Sequence, residues 1–421
     1  MKILLKQAYI NDPTSAHNGQ RADILIELGI IRDIQPKIDS TVDRVIHGNN
    51  ISVCPGWVDI FANFADPGLE FKETIESGAR AAAVGGFTDV FVLPNTKPVI
   101  DSKSQVEYIK HKSAAQAVNI YPIGALTKNA EGHDLAEMYD MRASGAIAFS
   151  DGTHPLQSAG ILVKALQYVK AFDGVVIQIP DDKSVGPHGL MHEGIVSTQL
   201  GLAGKPMMAE ELLVARDIKL ARYADSKIHF TGVTSPRSIE YIRRAKEAGL
   251  KVTCSVTPYH LFFTDADLFN YDSNLKVYPP LRTSVEQTVL KQAVLDGTID
   301  CIATHHSPHE TDSKVVEFEY AAFGMIGLET CYASLRKSLP ELSENRIAEL
   351  LSINPRKIFG LPSSTIEKNS PAIVTIYESE TPIQVTGAFF QSRSRNSAYI
   401  GKELTGSVLG IINGEKLVLN N

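Results

Sequence analysis

The chain of 421 residues carries a formal net charge of −7, with 43% hydrophobic and 21% charged residues. Those proportions supply a large core and fit one big domain plus a smaller one. Acidic and basic residues are interspersed, with no basic arm or stripe, which argues against nucleic acid as the main partner.

At the amino end, the apolar run within Met1-Lys2-Ile3-Leu4-Leu5-Lys6 is too short for a signal peptide. No window approaches the ~18 apolar residues of a membrane span. A cytoplasmic protein is expected, with no membrane partner. Residues 1–54 read as short strands: Ile3-Leu4-Leu5 and Ala22 to Leu28 are apolar-rich, punctuated by Asn11-Asp12-Pro13 and His47-Gly48-Asn49-Asn50. The middle alternates helices and strands. Glu73 to Ala83 is helical in character, Gly85-Gly86 stops it, and Phe87 to Leu93 is a buried strand. Ser235-Pro236 places an N-cap residue before Pro at the first helical position, Ile239, Ile242 and Ala245 form an apolar stripe, and Gly249 suits the helix end. Lys251 to Val256 and Thr298 to Ala303 read as further strands. The carboxy end returns to β character in Ala372 to Tyr377 and Gly406 to Ile412.

Repeated βα units over some 300 residues suit either a doubly wound sheet or a closed (β/α)₈ barrel; the missing Gly-rich dinucleotide fingerprint weakens the first. The β-rich ends suggest one small β domain assembled from both termini. Cys54, Cys254, Cys301 and Cys331 form no C-x-x-C pair and read as small buried thiols.

Several stretches in order carry a resemblance. They include Pro55-Gly56-Trp57-Val58-Asp59, Asp66-Pro67-Gly68, Lys72 to Gly78, Pro94-Asn95-Thr96-Lys97-Pro98, Thr257-Pro258-Tyr259-His260-Leu261, Pro279-Pro280-Leu281-Arg282, Asp296 to Asp300 and Gly324 to Thr330. With them the chain resembles the amidohydrolase superfamily, and within it the dihydroorotases of pyrimidine synthesis. The resemblance implies an α/β fold: a (β/α)₈ TIM-type barrel over 55–364 and a small β-sandwich domain built from 1–54 and 365–421. Family members hydrolyse or close a cyclic amide with divalent metal, which acidifies a water and polarises the carbonyl.

The resemblance also exposes departures. At the family's H-x-H stand Phe61 and Asn63; the His of H-x-E-D is Ile179; the His of H-V-S-T is Gly232; the catalytic Asp is His305. Phe, Ile and Gly have no ligating atom and an Asn amide is a poor zinc ligand, so no metal site is expected and the family zinc is expected absent. Asp151 survives from F-S-D-D-G, where its neighbour is Gly152, and reads as a turn-forming residue. For substrate binding, the family Arg is Ala65 and the Asn before P-P-L-R is Tyr278, while Asn95 and His309 remain. His305-His306-x-x-His309 with His154 reads as inherited loop sequence rather than a new metal site. Asp181-Asp182 reads as orienting and His192-Glu193-Gly194 as a cap or packing turn.

The expectation is a non-catalytic dihydroorotase homologue that forms a homodimer and serves as a structural or regulatory partner of aspartate carbamoyltransferase. An active dihydroorotase or other cyclic-amide hydrolase, including a metal-free one using Asp151, Asp181 and His305, is the alternative. An interaction protein like the inactive dihydropyrimidinase relatives of animal neurons ranks third.

Overall fold

The computed structural model describes residues 1–48 and 50–420; Asn49, in the expected turn after Ile46, and Asn421, the last residue of the expected terminal domain, lie outside it. Eight parallel strands run in the order Trp57–Ala62, Phe87–Val92, Asn119–Gly124, Ala148–Phe149, Val175–Gln178, Lys227–Phe230, Val252–Val256 and Cys301–Ile302. Their near-continuous burial is what a parallel sheet covered by helices demands. The first and last strands meet through side chains and one backbone bond. Thr304 donates from its backbone N–H (2.7 Å) and hydroxyl (2.7 Å) to the Asp59 carboxylate, and Asn63 N–H donates to the His306 carbonyl (2.8 Å). The result is the expected (β/α)₈ barrel.

The local signals act as the sequence suggests. Helix Ile75–Val84 starts at Thr74, whose side chain accepts from Ser77 N–H, and ends at Gly85. Helix Pro236–Glu247 starts at Ser235, whose hydroxyl accepts from Arg237 N–H, and Gly249 beyond its end has a φ of 73°. One strand is shorter than its sequence suggests. Thr298 to Ala303 contains only Cys301–Ile302 as strand, because Asp296 captures Thr298 N–H (2.9 Å) and Ile299 N–H returns to the Ala293 carbonyl (2.9 Å). These bonds hold the segment against the end of the preceding helix.

Both termini build a second, mixed sheet of eight strands. Its order is Lys416–Leu419, Glu403–Asn413, Ile373–Gln384, Ser52–Pro55, Lys2–Ile10, Arg21–Glu27 and Ile30–Gln35, with Arg44–Ile46 beside Lys2–Ile10. Its own core is Ile- and Val-rich, including Ile3, Leu5, Ile24, Val53 and Val374. Sheet and barrel are joined by stacked aromatics: Trp57 lies 5.0 Å from Tyr332 and 5.6 Å from Tyr377, ring centre to centre. Nearby, buried Arg356 pairs with Asp89 at 2.5 Å and donates to the Gly56 carbonyl, pinning the carboxy-terminal helix under the barrel. The four cysteines are free and buried. No helix among the described residues is long and apolar enough to cross a membrane.

Candidate functional site

Strands of a barrel deliver their last residues to one rim, the place where such folds build sites. Here the rim encloses a cavity of about 540 Å³. Phe61, Asn63, Ile179, Tyr278, His305 and His309 all line it. Gly232, Asn95, Asp151 and Ala65 stand around it rather than on its lining.

The floor is apolar. Phe61 and Ile179 are 2% and 1% exposed and belong to the cluster of Val58, Phe91, Ile123 and Ile177 that fills the barrel centre. The His305 ring stacks on Phe61 with 4.7 Å between ring centres. Its Nε2 lies 2.8 Å from Thr231 Oγ1, and it makes a backbone hydrogen bond to Tyr278. Burial holds the imidazole down at about 3, so it is neutral at physiological pH. Gly232 has a φ of 70°, and a Cβ placed there would sit 2.8 Å from His305 Cε1 and 3.0 Å from Pro279 Cδ. The His305 ring therefore occupies the space into which a side chain at 232 would grow.

A similar exclusion operates at Gly152. A Cβ on it would lie 1.7 Å from Asn95 Oδ1. Asn95 is spent on this loop: its Nδ2 donates to the Asp151 carbonyl and its Oδ1 accepts from Thr153 N–H. Asp151 is likewise committed. It is 1% exposed and accepts from Leu126 N–H, Thr127 N–H (2.9 Å each) and the Thr127 hydroxyl (2.6 Å). Burial still raises its carboxyl above the ordinary range, against those bonds.

Tyr278 turns its hydroxyl onto Asp181 Oδ2 (2.7 Å), and Asp181 Oδ1 meets the Lys205 ammonium at 2.7 Å. Lys205 also donates to the carbonyls of Val185 (2.8 Å) and Asp182 (3.3 Å). Lys205 was not singled out in the sequence; its strand Gly204–Lys205 pairs with Met191–His192, and no motif marks it. Asp182 is separate from this chain and closes a turn by accepting from Ser184. So the two carboxylates do not act as a pair.

The histidine run diverges. His306 turns away to Glu73 (3.4 Å) and accepts from Gly327 N–H, whereas His309 Nε2 donates to the Phe323 carbonyl (2.9 Å). His154 is exposed at the rim. Among the described residues no three His, Cys, Asp or Glu side chains converge as metal ligands would. Ala65 is fully buried with a φ of 56°. His192 Nδ1 meets the Arg282 guanidinium at 3.1 Å, and Arg282 pairs with buried Glu210 at 3.5 Å. Gly194 opens helix Ile195–Leu200, its N–H donating to Ser197. Glu73, beside His306, and Arg282, paired with Glu210, both lie inside the family-like stretches and tie the rim loops together through buried polar contacts.

Comparison with known proteins identifies the lineage. Residues 51–238 match the family model described as "Dihydro-orotase-like". A dihydroorotase of Pelotomaculum thermopropionicum is 39% identical over 424 aligned residues, covering 100% of this chain and 99% of that one. One of Caldanaerobacter subterraneus subsp. tengcongensis is 40% identical, covering 97% and 95%. The chain belongs to the dihydroorotase family. The dihydroorotase family lies within the amidohydrolase superfamily, and the fold agrees: L-hydantoinase from Arthrobacter aurescens superposes with a TM-score of 0.87 at 22% identity, over 99% of this chain and 96% of that one. Dihydropyrimidinase from Brevibacillus agri gives 0.84 at 18% identity, over 100% and 95%.

Proposed function

We propose that this dihydroorotase homologue does not hydrolyse a cyclic amide and serves as a structural or regulatory partner of aspartate carbamoyltransferase. The observation that carries the first half is the barrel floor. Where the family's metal chemistry calls for imidazoles stand Phe61, Ile179 and Gly232, and the stacked His305 ring blocks any side chain at 232. This donor set does not fit a pair of zinc ions, since phenyl, alkyl and hydrogen side chains coordinate nothing.

Metal-free chemistry finds no better footing. A general base needs a free lone pair near neutral pH and within reach of the substrate. His305 is buried, neutral and bonded through Thr231; Asp151 is wrapped in three donors; Asp181 is tied to Lys205 and Tyr278. The Arg fork that would hold a substrate carboxylate has given way to Ala65, whose methyl group cannot replace it.

The competing reading, an active dihydroorotase, draws on the 39–40% identity to curated dihydroorotases across the full chain. Turnover separates the two. The purified chain, supplied with zinc, is expected to give dihydroorotate hydrolysis no faster than a buffer blank. Turnover that scales with protein concentration and vanishes with chelator would overturn the proposal. The partner is tested by mixing the chain with aspartate carbamoyltransferase from the same organism and sizing the product. A single larger species is expected; two separate peaks with unchanged transferase activity would remove the partner.

A further inference from the structure

Loss of one chemistry leaves a chamber, and the character of that chamber follows from counting its polar atoms. Its floor is Phe61, Ile179 and the Phe61-stacked His305; its walls include Tyr259, Tyr278 and Phe323. Most polar groups at depth are already spent. His305 bonds to Thr231 and to the Tyr278 backbone. The Tyr278 hydroxyl serves one Asp181 oxygen, and the other is held by Lys205. The Lys205 ammonium divides its remaining donors between the Val185 and Asp182 carbonyls. The one buried positive charge on the lining is therefore neutralised in place, by a partner as buried as itself.

At the apolar floor an anion would shed its water and meet only the neutral Asn63 amide, a costly way to bury charge. The one ammonium on the lining that is unpaired among the described residues, Lys183, stands at the exposed end of the cavity. An uncharged ring would lose little and gain contact with aromatic faces on several sides. The volume of about 540 Å³ lies within the range of small-molecule sites. Below the exposed Thr153, His154 and Lys183, one polar contact remains on offer at depth. Asn63 Oδ1 accepts from Ala65 N–H, and the amide N–H donors of Asn63 have no partner among the described residues. We propose that the barrel mouth binds a compact, uncharged aromatic ring bearing at most one hydrogen-bond acceptor, and rejects the carboxylate-bearing rings of the family reaction. This inference rests on the non-catalytic reading, because a metal-filled floor would favour anions.

The test uses the full chain with indole as the neutral probe and dihydroorotate as the anionic one, followed by titration calorimetry and ligand-observed NMR. Metal content is measured on the same sample. Saturable binding of indole at one site is expected, with none by dihydroorotate. Leu190→Trp and, separately, Thr153→Trp place bulk at the cavity lining, and each is expected to weaken indole about tenfold or more while the circular dichroism spectrum stays native. Failure of indole to bind a folded, zinc-free chain overturns this inference and leaves the non-catalytic reading standing. So does indole binding that both tryptophan variants leave unchanged, because the ring then sits elsewhere. Bound zinc with dihydroorotate turnover overturns the non-catalytic reading and this inference together.

Discussion

His305 shows how a single residue changes what a site can do. Stacked on Phe61 and bonded to Thr231, it is held neutral by burial. Its folded value of about 3 lies below the ordinary value of 6.5, so the unfolded chain takes the proton first as pH falls. Its contribution to stability is whole above pH 6.5 and declines as pH falls from there toward 3. By NMR, the ring protons of His305 are expected to stay unshifted from pH 8 to pH 5; a midpoint near the ordinary histidine value would contradict the packing described. Gly232→Ala tests the same contact from the other side. At a φ of 70°, with a Cβ 2.8 Å from the His305 ring, the substitution is expected to cost about 1–3 kcal/mol in denaturant unfolding. Phe61→Ala opens the barrel centre and should cost about 3–5 kcal/mol by the same measurement. A variant as stable as the parent would mean that Phe61 is not part of the core.

At the level of elements, the rim is held by buried polar ties. Lys205 reaches from the short strand Gly204–Lys205 to Asp181, just beyond Val175–Gln178, with both side chains about nine-tenths buried. Removing one partner strands the other, so Lys205→Met is expected to destabilise by about 3 kcal/mol, and adding Asp181→Asn should recover part of that loss. Additive losses in the double variant would show that the two groups do not interact. Much of the element level was legible. Ser235-Pro236 marked a helix start and Gly85-Gly86 a helix stop because capping is local chemistry. The strand at Cys301–Ile302 was overextended because the ties of Thr298 and Ile299 to the preceding helix end leave no mark in hydrophobic pattern. Phe61, Ile179 and Tyr278 could be singled out because family-like stretches bracket them, and the fold brings them to the cavity lining. Lys205 could not: its role depends on a partner 24 positions away. The exclusions at Gly232 and Gly152 were hidden for the same reason, since His305 and Asn95 reach them only through the fold.

At the level of the molecule, side-chain contacts close the barrel and join it to the terminal sheet. Asp59 and Thr304 join the first strand to the last, and Trp57, Tyr332 and Tyr377 stack between barrel and sheet. Under the proposed reading the barrel is kept for its shape and surface, with Phe61, Ile179 and His305 packed at the floor of its mouth. The central proposal is that this barrel holds no pair of zinc ions, and elemental analysis of the purified chain tests it most directly. After growth in zinc-supplemented medium and desalting, zinc is expected at trace levels, far below one ion per chain. One or two tightly held zinc ions per chain, removed only by strong chelators, would contradict the account.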